Sequence, residues 1–569
     1  MSLTKRIAVA TLAAVTLAAC EPKPVATGDA PPPATVEEAA ATAAAVARQE
    51  TPAPNDFGDM LIDASIGDAS NLLPFLSGDS ASSDIQGYVY GALLAVDKKM
   101  NPIPGLAESY DVSDDGLTIT FHLRDGILWH DGAPFTSADL MFQYEMMRHP
   151  EVPSAYKEPF LQIAEATAPD EKTFVVRYDQ PYAPALVRVG YMTGLPKHLL
   201  RDVKPSELIR HPLSRKPVGT GPYIFDEWKS QSHITVGANP TYYKGRPYIS
   251  RIRTQIIPDS ATQFLEAKAG NIDMMGLTPI QFTRQTDDPY FKEKYAKYRY
   301  LANAYTYLGY NLKRDIFKDV RVRQALTYAI DKQEIVDAVL LGLGRPATGP
   351  YKPGTWAYDD RVKRYPFDPE KAKATLEEAG WVDGDGDGVR EREGKPLAFT
   401  IVTNQGNDQR KKAAEIIQRR FAAIGVKADI RVLEWSSFIE NYINNRDFDA
   451  TILGWSLGLD PDGYDIWHSS KTGQREFNFV SYANAEVDDL LEKGRRTFDI
   501  DKRKAAYSRI QQILADEQPY TFLYYPEATP MVSSRVRGID PGPAGIGYNQ
   551  EEWWIPRSLH RRAVATVEP

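Results

Sequence analysis

Cysteine occurs once in this 569-residue chain, at Cys20, and histidine only eight times. A single thiol excludes an intrachain disulfide and any zinc site built from several cysteines. His122, His130, His149, His198, His211, His233, His468 and His560 are scattered with no paired spacing, whereas imidazole metal sites normally need two or more convergent ligands. Excess positive charge is missing too. The formal net charge is −9 at pH 7, so nothing points to a nucleic-acid partner. After Cys20 no apolar run is long enough to cross a membrane. What remains is ordinary globular composition, 43% hydrophobic and 25% charged, over a length that suits about three or four domain-sized units.

The one cysteine is informative through its place. Lys5 and Arg6 make a short basic start, and Ile7 to Ala19 is apolar, rich in small residues and too short to span a bilayer as a mature helix. Leu17-Ala18-Ala19-Cys20 looks like a bacterial lipobox. Residues 1–20 are therefore read as a lipoprotein signal peptide, with Cys20 lipidated as the mature N-terminus. The other reading is a plain signal peptide in which Cys20 is incidental. Residues 21–56 are rich in Ala, Pro, Thr and Glu and lack any pattern that could form a core, so they read as a flexible tether. The folded part is expected outside the cytoplasmic membrane, held by its N-terminus.

The stretch from Asp449 to His468 organises the rest. Ala450 to Leu453 is apolar and β-leaning, a buried strand. It runs into Gly454, Trp455 and Ser456, where a glycine marks close approach of another backbone and the Trp offers a flat apolar wall with one N–H donor. Asp460, Pro461, Asp462 and Gly463 then stop regular structure, with Asp460 shaping the turn. Gly454-Trp455-Ser456-Leu457-Gly458 also matches G-x-S-x-G, the nucleophile elbow of serine esterases. That motif requires a helix directly behind the Ser, and Pro461 and Gly463 come too soon for one.

Elsewhere the periodicities are mixed. Leu117, Ile119, Phe121 and Leu123 alternate as a strand, and Asp114-Asp115-Gly116 is a turn that pairs it with Tyr110 to Val112. Thr136 opens a helix with Asp139 as its capping-box partner. Ile85 to Leu94 reads as helical. Val322, Ala325, Leu326, Ala329 and Ile330 form one helical face. Asp368 is an N-cap, Pro369 the first helical residue and Gly380 the C-terminal stop. Ile416, Ile417, Phe421 and Ile424 line another helix closed by Gly425, followed by a strand through Val426, Ala428, Ile430 and Val432. A last helix runs from Asp501 to Gln518, stops at Pro519 and precedes a strand, Tyr520 to Tyr525. Helices interleaved with hairpins give an α/β protein.

Several segments resemble the family 5 extracellular solute-binding proteins, the dipeptide, oligopeptide and nickel receptors of ABC importers. They are Pro104 to Leu140, Pro217 to Trp228, Leu308 to Lys332, Phe367 to Trp381 and Gly454 to Ser470, the last similar to the oligopeptide-binding branch. The resemblance covers the chain in order from Leu61 onward. It implies a two-lobed, periplasmic-binding-protein-like fold of the large peptide-receptor type, with a ligand cleft between lobes. It places lobe I at residues 57–304 plus 520–569 and lobe II at 305–519. It implies a monomeric receptor that hands peptides to the permease subunits of an importer.

In such a cleft the edge Gly454, Trp455, Ser456 and Leu457 would pair with a ligand backbone by strand addition, and Trp435, Trp455, Tyr310 and Trp356, with Asn311 beside Tyr310, would wall its pockets. Dipeptide and some oligopeptide receptors place an Asp shortly after the Gly-Trp pair to hold the ligand ammonium. Here Ser456-Leu457-Gly458-Leu459 follows instead, which turns the reading toward longer peptides held through their backbone, or toward a sugar, opine or other polar solute. Asp383, Asp385 and Asp387 have the spacing of a calcium loop, but its twelfth position is Gly394 and the acid, Glu393, comes one early, so a Gly/Asp turn and a structural Ca²⁺ loop compete. Gly219-Thr220-Gly221 lacks the Lys of a phosphate-binding loop. The rival class is a lipid-anchored serine hydrolase using Ser456. A fluorophosphonate probe separates the two: a receptor stays unlabelled, and labelling at Ser456 would establish the hydrolase.

Overall fold

The computed structural model describes residues 51–53 and 56–562. The signal peptide, Cys20 and nearly all of the expected tether lie outside the described residues. Two large sheets dominate. The first has seven strands in the order Tyr295–Lys297, Pro530–Ser533, Met274–Gly276, Gly58–Ser65, Ile249–Ile256, His233–Ala238 and Tyr223–Lys229. The second runs Tyr300–Leu301, Tyr520–Ala528, Ala304–Tyr310, Ala450–Ser456, Ala398–Asn404 and Lys427–Leu433, with Gly344–Pro346 pairing Tyr520–Ala528. A separate four-stranded sheet, Ala107–Val112, Thr118–Leu123, Thr173–Arg177 and Glu165–Asp170, covers its own core of Phe121, Trp129, Leu140 and Phe174.

Local rules explain most elements. In the hairpin Val112 faces Ile119 and Asp111 faces Thr120, so Ile119, Phe121 and Leu123 turn inward together. Thr136 and Asp139 cap the helix Ser137–Arg148 reciprocally. Asp368 accepts from the Lys371 N–H at the start of Pro369–Glu378, and Gly380 beyond its end takes φ +84°. The helix expected over Ile85 to Leu94 is instead Ser80–Val89, because Asp79 caps it by accepting from the Ser82 N–H. Tyr90 is extended, and Leu94–Val96 is a strand.

The chain leaves the first sheet after Lys297 and enters the second at Tyr300 and Ala304. Tyr520–Ala528 hydrogen-bonds to Ala304–Tyr310 and so belongs to the second sheet. The return to the first sheet falls between Ala528 and Pro530. The first strand is then tied to the returning tail by a buried cation. Arg535 Nε and Nη2 reach the Asp273 carboxylate at 2.9 and 2.7 Å, and Arg535 also pairs with Asp59.

The four-stranded unit meets the second lobe through buried ions. Arg495 Nη1 lies 3.0 Å from Glu158 and its Nη2 2.7 Å from Asp462, while Lys471 Nζ lies 2.7 Å from the other oxygen of Glu158. All four side chains are at most 10% exposed. Burial works against the Asp462 charge, and the guanidiniums of Arg495 and Arg188 outweigh it, holding this carboxyl below its usual range. The Arg495 guanidinium also stacks over Tyr464 at 3.8 Å. Removing one partner of a buried pair strands the other's charge. Arg495→Ala is therefore expected to lower unfolding stability by about 3–5 kcal/mol in urea titration, and an unchanged midpoint would show that Lys471 and Arg188 hold Glu158 and Asp462 without it.

Candidate functional site: a cleft between the lobes

The strand Ala450–Ser456 outruns one of its neighbours. On one side it pairs along its whole length with Ala304–Tyr310, from Ala450 opposite Tyr310 to Ser456 opposite Ala304. On the other, the parallel strand Ala398–Asn404 is in register only at Ala450 and Thr451. Thr403 Oγ1 donates to the Ile452 carbonyl at 3.0 Å on that side. The Leu457 N–H donates to the Asn303 carbonyl at 2.8 Å. In an antiparallel ladder alternate residues turn both backbone groups to the same neighbour. Leu457, Trp455 and Leu453 thus serve Ala304–Tyr310, and the N–H and C=O groups of Gly454 and Ser456 face the other way, past the end of Ala398–Asn404.

They face a cavity of about 560 Å³ between the lobes. Aromatic rings wall it. Trp455 stacks on Phe479 with centroids 5.7 Å apart and meets Phe477 edge-on at 5.4 Å, and Phe477 meets Tyr156 of the first lobe at 5.0 Å. Two second-lobe rings sit directly on first-lobe glycines. A Cβ at Gly67 would lie 2.7 Å from the Trp435 ring, and one at Gly78 would lie 2.8 Å from Phe477. Trp435 Nε1 also donates to Asp79 at 3.4 Å.

Charge in the cleft is left unanswered at two points. Arg410 Nη1 donates to Asn404 Oδ1 at 2.9 Å, but its Nε is buried without a partner, and among the described residues no carboxylate pairs with it. Burial lowers its pKa. Its Nη2 lies where a Cβ of residue 454 would come within 2.9 Å, with the Tyr305 carbonyl at 3.0 Å, which is why position 454 has no side chain. Asp84, on the first-lobe wall, accepts no hydrogen bond from any described residue. Asp84 is exposed toward the cleft, yet the protein packed around its carboxyl, and then the neighbouring Asp79 charge, push it up to about 6. Behind it Asp63 is pushed up to about 8, by burial and then by Asp84. Around neutral pH the two carboxyls therefore share roughly one negative charge.

Of the residues singled out from sequence, Gly454, Trp455, Ser456 and Trp435 line this cavity. Leu457 lies outside the lining, its carbonyl taken by Asn303 Nδ2 at 2.9 Å. Tyr310 is fully buried in the second-lobe core with its hydroxyl on Thr521, and Asn311 is buried holding the carbonyls of Arg446 and Phe448, so both are packing residues. Trp356 packs beside Tyr507 under the Arg503 guanidinium, away from the cleft. Asp460 is held by Arg503 and accepts from the Asp462 N–H, a turn residue. Asp84, Arg410, Glu440, Arg475 and Phe477 also line the cavity, and no motif or periodicity marks them.

Ser456 ends its strand, and the next helix begins only at Tyr464. None of the described histidines lines the cavity. In the Asp/Gly loop the ligand oxygens of Asp383, Asp385 and Glu391 converge within 4.8 Å. Each of these carboxylates, and Asp387, accepts a backbone N–H of the loop itself, as in a capped turn. Asp387, expected as the third ligand, is outside the convergent set, because its carboxylate turns to the Val389 N–H.

Residues 101–477 match the model of the bacterial extracellular solute-binding proteins, family 5 Middle. The chain is 35% identical over 519 residues to the oligopeptide-binding protein AppA of Bacillus subtilis, covering 90% of this chain and 94% of that one. It is 30% identical over 501 residues to the heme-binding protein A of Haemophilus influenzae, covering 83% and 87%. The solved structure of B. subtilis AppA in complex with a nonapeptide superposes with a TM-score of 0.84 at 33% identity, over 88% of this chain and all of that one. NikZ of Campylobacter jejuni in complex with Ni(L-His) gives 0.78 at 29% identity, over 88% and 100%. These relatives are binding receptors rather than enzymes. With its two lobes, its interlobe cavity and these matches, the chain belongs to the family 5 bacterial extracellular solute-binding proteins.

Proposed function

We propose that this protein is the extracytoplasmic receptor of an ABC importer, anchored through lipidated Cys20, that binds oligopeptides between its lobes and delivers them to the permease. One observation carries the reading: a strand edge, Gly454 and Ser456, whose backbone groups open on an aromatic-walled interlobe cavity. An extended peptide laid along that edge would satisfy those groups without any demand on its side chains. Unpaired Arg410 meets a ligand carboxylate, and unpaired Asp84 a ligand ammonium or basic side chain. No acid stands among the four residues after the Gly-Trp pair, so Asp84 supplies the countercharge from the opposite lobe. The ligand then touches both lobes, which favours the shut arrangement. We take lobe I as residues 57–304 with the C-terminal tail and lobe II as 305–519 extended through the strand ending at Ala528.

Native mass spectrometry of the purified receptor is expected to release short peptides. A cleft holding only sugars or opines, with no heat of binding for any peptide, would overturn the reading. Two substitutions separate backbone from side-chain contact. Ser456→Pro removes the cleft-facing N–H while breaking no ladder bond, and is expected to weaken peptide binding about tenfold, or about 1.4 kcal/mol. Ser456→Ala is expected to leave the calorimetric Kd within about twofold.

The pH dependence has a definite sign. The folded pKa of Asp84 lies above its unfolded value, so in the empty receptor it is protonated below about 6. Ammonium binding needs the charged form, so affinity is expected to fall about tenfold from pH 7 to about pH 5, and Asp84→Asn to flatten that profile. In the empty protein the same shifts make stability decline as pH rises from about 4, levelling off above about 6 for Asp84 and about 8 for Asp63, because over that range the folded state holds protons that the unfolded chain has lost.

A further inference from the structure

A second cavity, of about 590 Å³, adjoins the first. Ser70, Asn71, Glu151, Ser206, Arg210 and Gln474 give it a polar lining drawn from both lobes. Leu76, Pro153, Glu440 and Arg475 border both cavities. Two of these form an ion pair at the junction: Arg475 Nη2 lies 2.6 Å and Nη1 3.3 Å from the two carboxylate oxygens of Glu440, each side chain 31% exposed.

Both partners are presented by unusual backbone. Glu440 sits in a π-helical turn, Phe438–Ile443. Such turns are rare and recur at functional sites. Arg475 has φ +65°, a left-handed conformation that costs a non-glycine residue free energy and persists only where the surroundings hold it. Two independent irregularities thus converge on one pair, at the place where the inner cavity meets the outer one.

We infer that the Arg475–Glu440 pair is a bar between two ligand compartments, and that the outer one receives the polar tail of peptides too long for the inner cavity. This rests on the peptide-receptor reading above. An extended chain advances about 3.3–3.6 Å per residue, so only peptides beyond a threshold length reach the bar. Those peptides must displace the pair, whereas shorter ones leave it closed. The outer lining of hydroxyls and amides, with Glu151 and Arg210 at hand, suits a hydrated tail and its terminal charge rather than an apolar one.

The test is a series of alanine-based peptides roughly three to nine residues long, titrated calorimetrically into the wild type and into Arg475→Gly. Glycine keeps the left-handed backbone without strain. The gain in affinity on substitution is expected to be roughly twofold to fivefold greater for long peptides than for short ones, the worth of a part-exposed ion pair. A second readout is Ser206→Cys carrying a solvatochromic dye, with Cys20 replaced by Ser. Its emission is expected to shift only with peptides above the threshold. Parallel affinity changes at every length, or a dye silent to the longest peptide that binds, would overturn the partition. Failure of every peptide to bind the wild type would instead overturn the receptor reading, and the partition with it.

Discussion

A backbone N–H or C=O in the interior must be paired or face solvent. In this chain the constraint acts where the strand Ala450–Ser456 continues after Ala398–Asn404 has stopped pairing with it. Thr403 reaches Ile452 with its side-chain hydroxyl, and beyond Thr451 the strand is no longer in register with Ala398–Asn404. The surrounding features follow. Position 454 is glycine because Arg410 and the Tyr305 carbonyl crowd it. Asn303 secures Leu457 on the far side, so the edge is held straight while two residues of it stay open to the cleft. The rings of Trp455, Phe477 and Phe479 bank against that edge and keep it partly dry.

The lobes are held together by two kinds of contact that differ in character. Trp435 on Gly67 and Phe477 on Gly78 are flat apolar seats, worth what their buried area is worth and tolerant of small sliding. The Glu158, Lys471, Arg495 and Asp462 set is directional and costly to expose singly. The first kind gives attraction and the second gives register.

Much of the fold was legible because its signals are local. The Asp-Asp-Gly turn set the hairpin at Asp114 to Gly116, the Asp368 and Pro369 pair set a helix start, and the apolar face of Val322 to Ile330 set a buried helix. The cleft was legible only in part. Gly454, Trp455 and Ser456 stand out because a strand ends in an unusual run, and Trp435 because it is a Trp. Tyr310 and Asn311 look equally eligible, yet they lie at the inner end of Ala304–Tyr310, where the strand is buried on both faces. Arg410, Asp84, Glu440 and Arg475 carry no local mark at all. Arg410 is one cation among many until tertiary packing leaves it without an acid, and Arg475 is ordinary until its φ is known. Isolation and strain are properties of the folded chain, invisible in a string of letters.

The charged set beneath Tyr464 also bears on the medium around the protein. Dissolved ions screen charges that water can reach and hardly touch those sealed from it. When the lobes are together, Glu158 and Arg495 are sealed; were they to part, both would be wetted and screened. Added electrolyte would then lower the free energy of the parted form and leave the joined one nearly as it was, so the salinity around the protein would itself tilt the balance between the two.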